Sequence, residues 1–263
     1  VDVQGLNRIS RTILARAAGA ICGMVEADVA VGDDKRLVVA SMFGNTTKCI
    51  EAAIPLLEQA GYEVLVFHAT GTGGRAMEAL VASGLVAGVL DVTTTELADE
   101  LVGGVLSAGP ERLDAASPHG VPAVVAPGCL DMVNFGERQT VPATFAGRTF
   151  YVHNPQVTLM RTTPEECAAL GRLVATKVNA SRGPVHVLIP RRAISVVSAP
   201  GGPFHDPHAD AALFEAIASG LRPDVPCTLL DCEINDPAFA RACVEALLAT
   251  MRSVSRGDIP CRR

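Results

Sequence analysis

Two kinds of apolar pattern alternate along this chain: short runs that are apolar at nearly every position, and longer stretches where apolar residues recur every three or four. The first marks strands buried on both faces, and the second marks helices with one covered face. From Arg36 to Val125 the alternation is regular. It predicts strands at 37–43, 62–67, 86–91 and 121–125, with helices at about 46–60, 73–83, 95–107 and 111–117. This succession predicts an α/β, three-layer Rossmann-like fold with a mainly parallel sheet, whose right-handed crossovers bring every strand-to-helix loop to one edge.

The pattern differs on either side. From about Leu6 to Val25, Leu6, Ile9, Ile13, Ala17, Ala20 and Met24 form one helical stripe, thinned by Ala15, Ala18 and Gly19. Such a stripe suits close packing across the sheet or onto a second subunit, which makes a homodimer an expectation. After Val125 the repetition gives way to an excursion at about 126–163, with a hairpin expected between 141–145 and 148–152 around Ala146-Gly147. Long excursions in compact domains commonly serve binding. Regularity returns with Thr163-Pro164-Glu165-Glu166, a capping box that starts a helix. A strand at 185–189 follows, and Asp206-Pro207 and Asn235-Asp236-Pro237 start two further helices, the last running to 251. The expected organisation is a helix and linker at 1–35, a Rossmann-like domain at 36–252 and a tail at 253–263. The chain starts at Val1 without methionine and is read as a piece of a longer protein.

Composition narrows the function classes. Apolar residues make up 49% of the 263 positions and charged residues 19%, as in an ordinary globular protein. A formal charge of -6 without a basic run argues against nucleic acid as a partner, and no apolar stretch is long enough for a membrane span. The eight cysteines show no metal-binding or disulfide spacing, as expected of a cytoplasmic protein.

The loop edge gathers the candidate chemistry. After one strand the chain reads Thr70-Gly71-Thr72-Gly73-Gly74, and after another Asn45-Thr46-Thr47, each entering a helix. Helix N-termini present free N–H groups and a positive dipole end, so both loops suit a phosphate or carboxylate. The other reading of Gly71–Gly74 is a tight turn. It matches neither a Walker A sequence nor a dinucleotide fingerprint. Thr94 and Thr95 would add hydroxyls at the same edge, Gly128, Asp131 and Asn134 lie after the fourth strand, and Arg161 or Arg191 would supply a countercharge. Cys129 is a candidate nucleophile with His153 or His119 as base, and His205-Asp206-Pro207-His208-Ala209-Asp210 is the densest group of metal-type ligands, although Asp206 is claimed by helix capping.

Taken together, Ser41–Thr47, His68–Gly74, Leu90–Glu96, Pro127–Gly136, His153-Asn154-Pro155, Met160–Glu166 and Ala199–Asp206 resemble the Tm-one-like ATP-binding family, an uncharacterised group named after the tobamovirus-resistance protein of tomato. The resemblance covers nearly the whole chain. It implies two Rossmann-like domains, of which this chain resembles the second. The ATP label attaches to the first, N-terminal domain, so ATP and Mg are implied cofactors only through a domain outside this chain. The resemblance also implies a small alanine where Cys129 stands.

The leading expectation is a ligand-binding half of a two-domain protein, holding a nucleotide or other anionic small molecule on the loop edge. One alternative is an enzyme acting on a small acid or phosphorylated metabolite, with Asp131, His153 or Asp206 as acid and base. Another is an interaction module built on the first helix.

Overall fold

In a computed structural model, residues 4–28 and 35–255 are described, so the expectations for 1–3, for the linker at 29–34 and for the end of the tail at 256–263 lie outside the described residues. The chain divides into two compact units, one up to Asp34 and one from Lys35. The first is helix α1 (Arg8–Glu26), whose N-terminus is closed by a capping box in which Asn7 Oδ1 accepts from the Ser10 N–H and Ser10 Oγ accepts from the Asn7 N–H.

The second unit is built on a six-stranded sheet. Strands β1 (Arg36–Met42), β2 (Tyr62–His68), β3 (Val86–Thr93), β4 (Ala123–Gly128), β8 (Val185–Pro190) and β9 (Cys227–Leu230) lie in the order β2-β1-β3-β4-β8-β9, all parallel. Alternate side chains face opposite layers. Val38, Ala40, Leu90 and Val124 point to α2 (Thr47–Gln59) and α8 (Pro237–Ser255), while Val39, Val89 and Val125 point to α3 (Thr72–Ala82), α6 (Pro164–Asn179) and α7 (Pro207–Gly220). This explains the uninterrupted apolar runs of the sequence, since neither strand face meets water.

Several boundaries differ from expectation, each for a local reason. Helix α4 (Glu96–Val102) stops early because Gly103, at φ 99, ends it in the left-handed region, and a Cβ on Gly104 would overlap the Asp99 carboxylate. The helix expected at 111–117 shrinks to α5 (Ala116–His119), and the residues before it form turns. The hairpin is shifted: Pro142 starts a 3-10 turn at Ala143–Phe145, and the antiparallel pair is β6 (Phe150–Asn154) with β7 (Val157–Arg161). With β5 (Met132–Phe135) they make a second sheet in the order β5-β7-β6. Strand β9 is four residues long with two exposed, too short and too wet to leave a pattern. The capping box at Thr163–Glu166 and the Asp206 cap of α7 form as expected.

Candidate functional site

Strand order reverses between β1 and β3: the chain leaves β1 through α2 on one face and leaves β3 through α4 on the other, where Leu97 and Ala98 join the opposite core. The crevice outside such a reversal is where open α/β sheets bind ligands. Here the two loops are stitched together. Ser41 Oγ donates to Asp91 Oδ1 (2.7 Å) and accepts from the Thr93 N–H (2.8 Å), and the Thr46 and Thr93 hydroxyls share a 2.7 Å hydrogen bond.

The two anion-type loops have different fates. At Gly71–Gly74, where a ligand anion was expected, the chain supplies its own: Glu96 Oε1 accepts from the N–H groups of Gly71 (2.6 Å) and Gly74 (3.1 Å). A Cβ on Gly74 would overlap this carboxylate, and one on Gly73 would overlap the His68 carbonyl. The glycines therefore answer to close packing within the domain. Thr70 donates to the His68 carbonyl (3.4 Å), and Thr72 is exposed.

Glu96 belongs to a larger buried cluster that no sequence spacing signals. Its Oε2 accepts from Arg112 Nε (2.6 Å), and the same guanidinium donates through Nη1 and Nη2 to both oxygens of Asp91 (2.5 and 2.7 Å) and through Nη1 to Glu78 (3.2 Å). Arg112 is 1% exposed, and the three carboxylates keep it permanently charged against the pull of burial. Glu78 also holds the Arg112 loop in place, accepting from the N–H groups of Leu113 (2.6 Å) and Ala115 (2.7 Å), with Leu113 in the left-handed region at φ 75. Glu78 itself is pushed up by burial, against the lowering effect of Arg112.

The Asn45–Thr47 loop is unfilled. Among the described residues, the N–H groups of Gly44, Asn45, Thr47 and Lys48 make no hydrogen bond within the protein; Thr46 does not cap α2, and the only first-turn N–H taken by a side chain is that of Cys49, which donates to Asn235 Oδ1 (3.1 Å). Asn45 is more than nine-tenths buried, and its amide nitrogen reaches only Met132 Sδ, at 3.8 Å. Thr46 is fully buried, and half-buried Thr47 donates to the Phe43 and Gly44 carbonyls.

The remaining expected residues have internal tasks. Thr94 donates to the Ala126 carbonyl, and Gly128 lets β4 approach β3, since a Cβ there would overlap the Val92 carbonyl. Asn134 donates to Asp99 Oδ2 (2.6 Å) and to Thr95 Oγ1 (3.3 Å), while its own Oδ1 is buried without a partner. Arg161 is 6% exposed and fully engaged: it pairs with Asp210 (2.5 Å) and donates to Thr162 and to the carbonyls of Phe204, Asp206 and Asp131. Asp131 accepts from Ser195 Oγ (2.6 Å) on Oδ2, and its Oδ1 is a second buried acceptor without a partner.

Cys129 sits at the end of β4 at φ 60, fully buried, and burial with the nearby Asp131 charge raises its thiol well above the ordinary range. It stays a thiol and lacks the character of a nucleophile. His119 lies before β4 and Cys129 after it, so the length of the strand separates them, while His153 is exposed on β6 against Tyr151. The 205–210 group is divided: Asp206 caps α7, Asp210 pairs with Arg161 and His205 Nδ1 meets the Ser198 carbonyl. Among the described residues no cluster of three or more His, Cys, Asp or Glu is placed to hold a metal, and no helix is long and apolar enough to cross a membrane.

Two buried acids give the edge a pH signature. Burial pushes Asp131 up to about 6 and Asp99 up to about 7, Asp99 against the lowering effect of its hydrogen bonds from Asn134. Because both folded values lie above the unfolded one, their stabilisation is complete at acid pH and is lost as pH rises through about 6 and 7. The domain is expected to lose stability between about pH 4 and pH 8, by roughly 2–3 kcal/mol from Asp131 alone. Urea unfolding across that range checks this, and Asp131→Asn should flatten the slope.

Residues 35–251 match the family model described as the C-terminal domain of an uncharacterised protein family, UPF0261. The chain belongs to this family. A UPF0261 protein of Rhizobium meliloti is 50% identical over 93% of this chain and 62% of its own length. One of Clostridium tetani is 48% identical over 95% of this chain and 63% of its own. The ToMV resistance protein Tm-1 of Solanum lycopersicum is 42% identical over 94% of this chain and 34% of its own length. The Tm-one-like resemblance thus holds at the level of homology. This UPF0261 chain spans a little under two thirds of its bacterial relatives.

Proposed function

We propose that this UPF0261 domain binds the anionic group of a small molecule at the reversal between β1 and β3, on the loop from Gly44 to Lys48. The observation that carries the reading is the unfilled loop: four backbone N–H groups and the Asn45 amide lack good partners in the protein, at the N-terminus of a 13-residue helix. The contrast with Gly71–Gly74 sharpens it, because there the same kind of donor array is closed by Glu96. The binding residues are Gly44, Asn45, Thr47 and exposed Lys48, rather than the engaged Arg161. A nucleotide is one finer candidate among such anions, although the ATP label of the resembling family belongs to its N-terminal domain and not to this loop. In the longer relatives a further domain would close over the ligand, as small-molecule sites often lie between domains.

A thermal-shift screen against nucleotides with and without magnesium, sugar phosphates and small carboxylates tests the reading. A ligand at a hundred times its dissociation constant adds about 2.7 kcal/mol, a rise of a few degrees in melting temperature. Lys48→Glu places a negative charge beside the open donors at an exposed position and is expected to erase the shift while leaving the unliganded melting temperature within about a degree. A shift that survives Lys48→Glu would place the ligand elsewhere.

A further inference from the structure

A hollow of about 340 Å³ opens on the same sheet edge, between the end of β8 and the first turns of α7. That volume lies within the range of small-molecule sites. Its polar wall is Arg191, Arg192, His205 and Asp210, and Ala211 and Phe214 of α7 contribute apolar surface.

The hydrogen-bond donors around it are not all used. Asp210 is neutralised by Arg161 at 2.5 Å, and Arg192 is held by Asp231 through two hydrogen bonds of 3.0 and 2.9 Å. The guanidinium of Arg191 makes neither a hydrogen bond nor an ion pair among the described residues. Its charge acts on Asp231 only at a distance, and its N–H donors are left over beside an apolar wall. His205 is oriented by its Nδ1, which lies 3.2 Å from the Ser198 carbonyl and must donate there, because a carbonyl only accepts. The hollow is therefore a shaped wall with one uncommitted planar cation, a combination suited to a carboxylate carrying a short apolar tail.

We propose that this hollow is a second ligand site, for a small organic monoanion whose carboxylate pairs with Arg191 and whose aliphatic tail lies against Ala211 and Phe214. It uses none of the residues of the β1 loop. The two sites can therefore succeed or fail separately.

The test is a titration of ¹⁵N-labelled protein with butyrate, with butyramide as the neutral isostere and inorganic phosphate as the anion without a tail. Butyrate is expected to produce saturable shifts at the amides of Arg191, His205 and Ala211 with a dissociation constant on the order of millimolar. Butyramide, phosphate and the exposed-site variant Arg191→Gln should each weaken binding about tenfold or more, the worth of one charged or apolar contact. Equal binding by butyramide, or by Arg191→Gln, would overturn the charge recognition, and equal binding by phosphate would overturn the tail contact. Butyrate shifts confined to residues 44–48 would overturn this hollow as its site.

Discussion

Arg112→Met is expected to remove most of the domain's stability, on the order of 5 kcal/mol or more measured by urea unfolding. The change leaves Asp91 and Glu96 buried without their shared cation and strips Glu78 of one partner. Breaking one buried pair by removing a partner typically costs about 3–5 kcal/mol, and here one guanidinium serves three carboxylates. Whole domains are stable by only about 5–15 kcal/mol. Arg112→Lys should recover little, because an ammonium cannot reproduce the fork that reaches Asp91 through two nitrogens and Glu96 through a third. A variant with wild-type stability would show that the cluster contributes nothing net.

The second large effect concerns the filled loop. Glu96→Ala would leave the N–H groups of Gly71 and Gly74 and the Nε of Arg112 unpartnered around a vacated carboxylate-sized space. Its expected cost is about 3–5 kcal/mol. Formate has the shape and charge of the missing group. It should restore part of the loss, adding about 1.4 kcal/mol at ten times its dissociation constant, while stabilising the wild type less. Failure of formate, acetate and phosphate alike to raise the variant's melting temperature above the wild-type increment would mean that the Gly71–Gly74 loop is not an anion cradle even when empty.

These two residues also mark where the sequence was legible. The parallel sheet could be read because β1, β3, β4 and β8 are covered on both faces and so appear as continuous apolar runs. Helix starts could be read where a side chain commits to the backbone, as Thr163 and Asp206 do. The hairpin was displaced because local turn residues at Ala146-Gly147 compete with the burial of Leu159 and Met160 on β7, and burial prevails. Arg112 was illegible: an arginine among Pro110, Glu111, Leu113 and Asp114 reads as surface, and its partners lie 16 to 34 positions away. Glycine-rich Gly71–Gly74 was ambiguous for a physical reason, since a backbone that must approach a carboxylate needs the same residues whether that carboxylate is foreign or its own. What separates the two loops is the presence of Glu96 over one of them, a fact of tertiary structure.

The central claim is that the open donors of Gly44–Lys48 receive an anion, and amide-resolved titration with inorganic pyrophosphate tests it most directly. Saturable shifts are expected at Gly44, Asn45, Thr47 and Lys48 and none at Gly71 or Gly74, whose N–H groups remain on Glu96. Shifts at Gly71 and Gly74 with a silent 44–48 loop would contradict it.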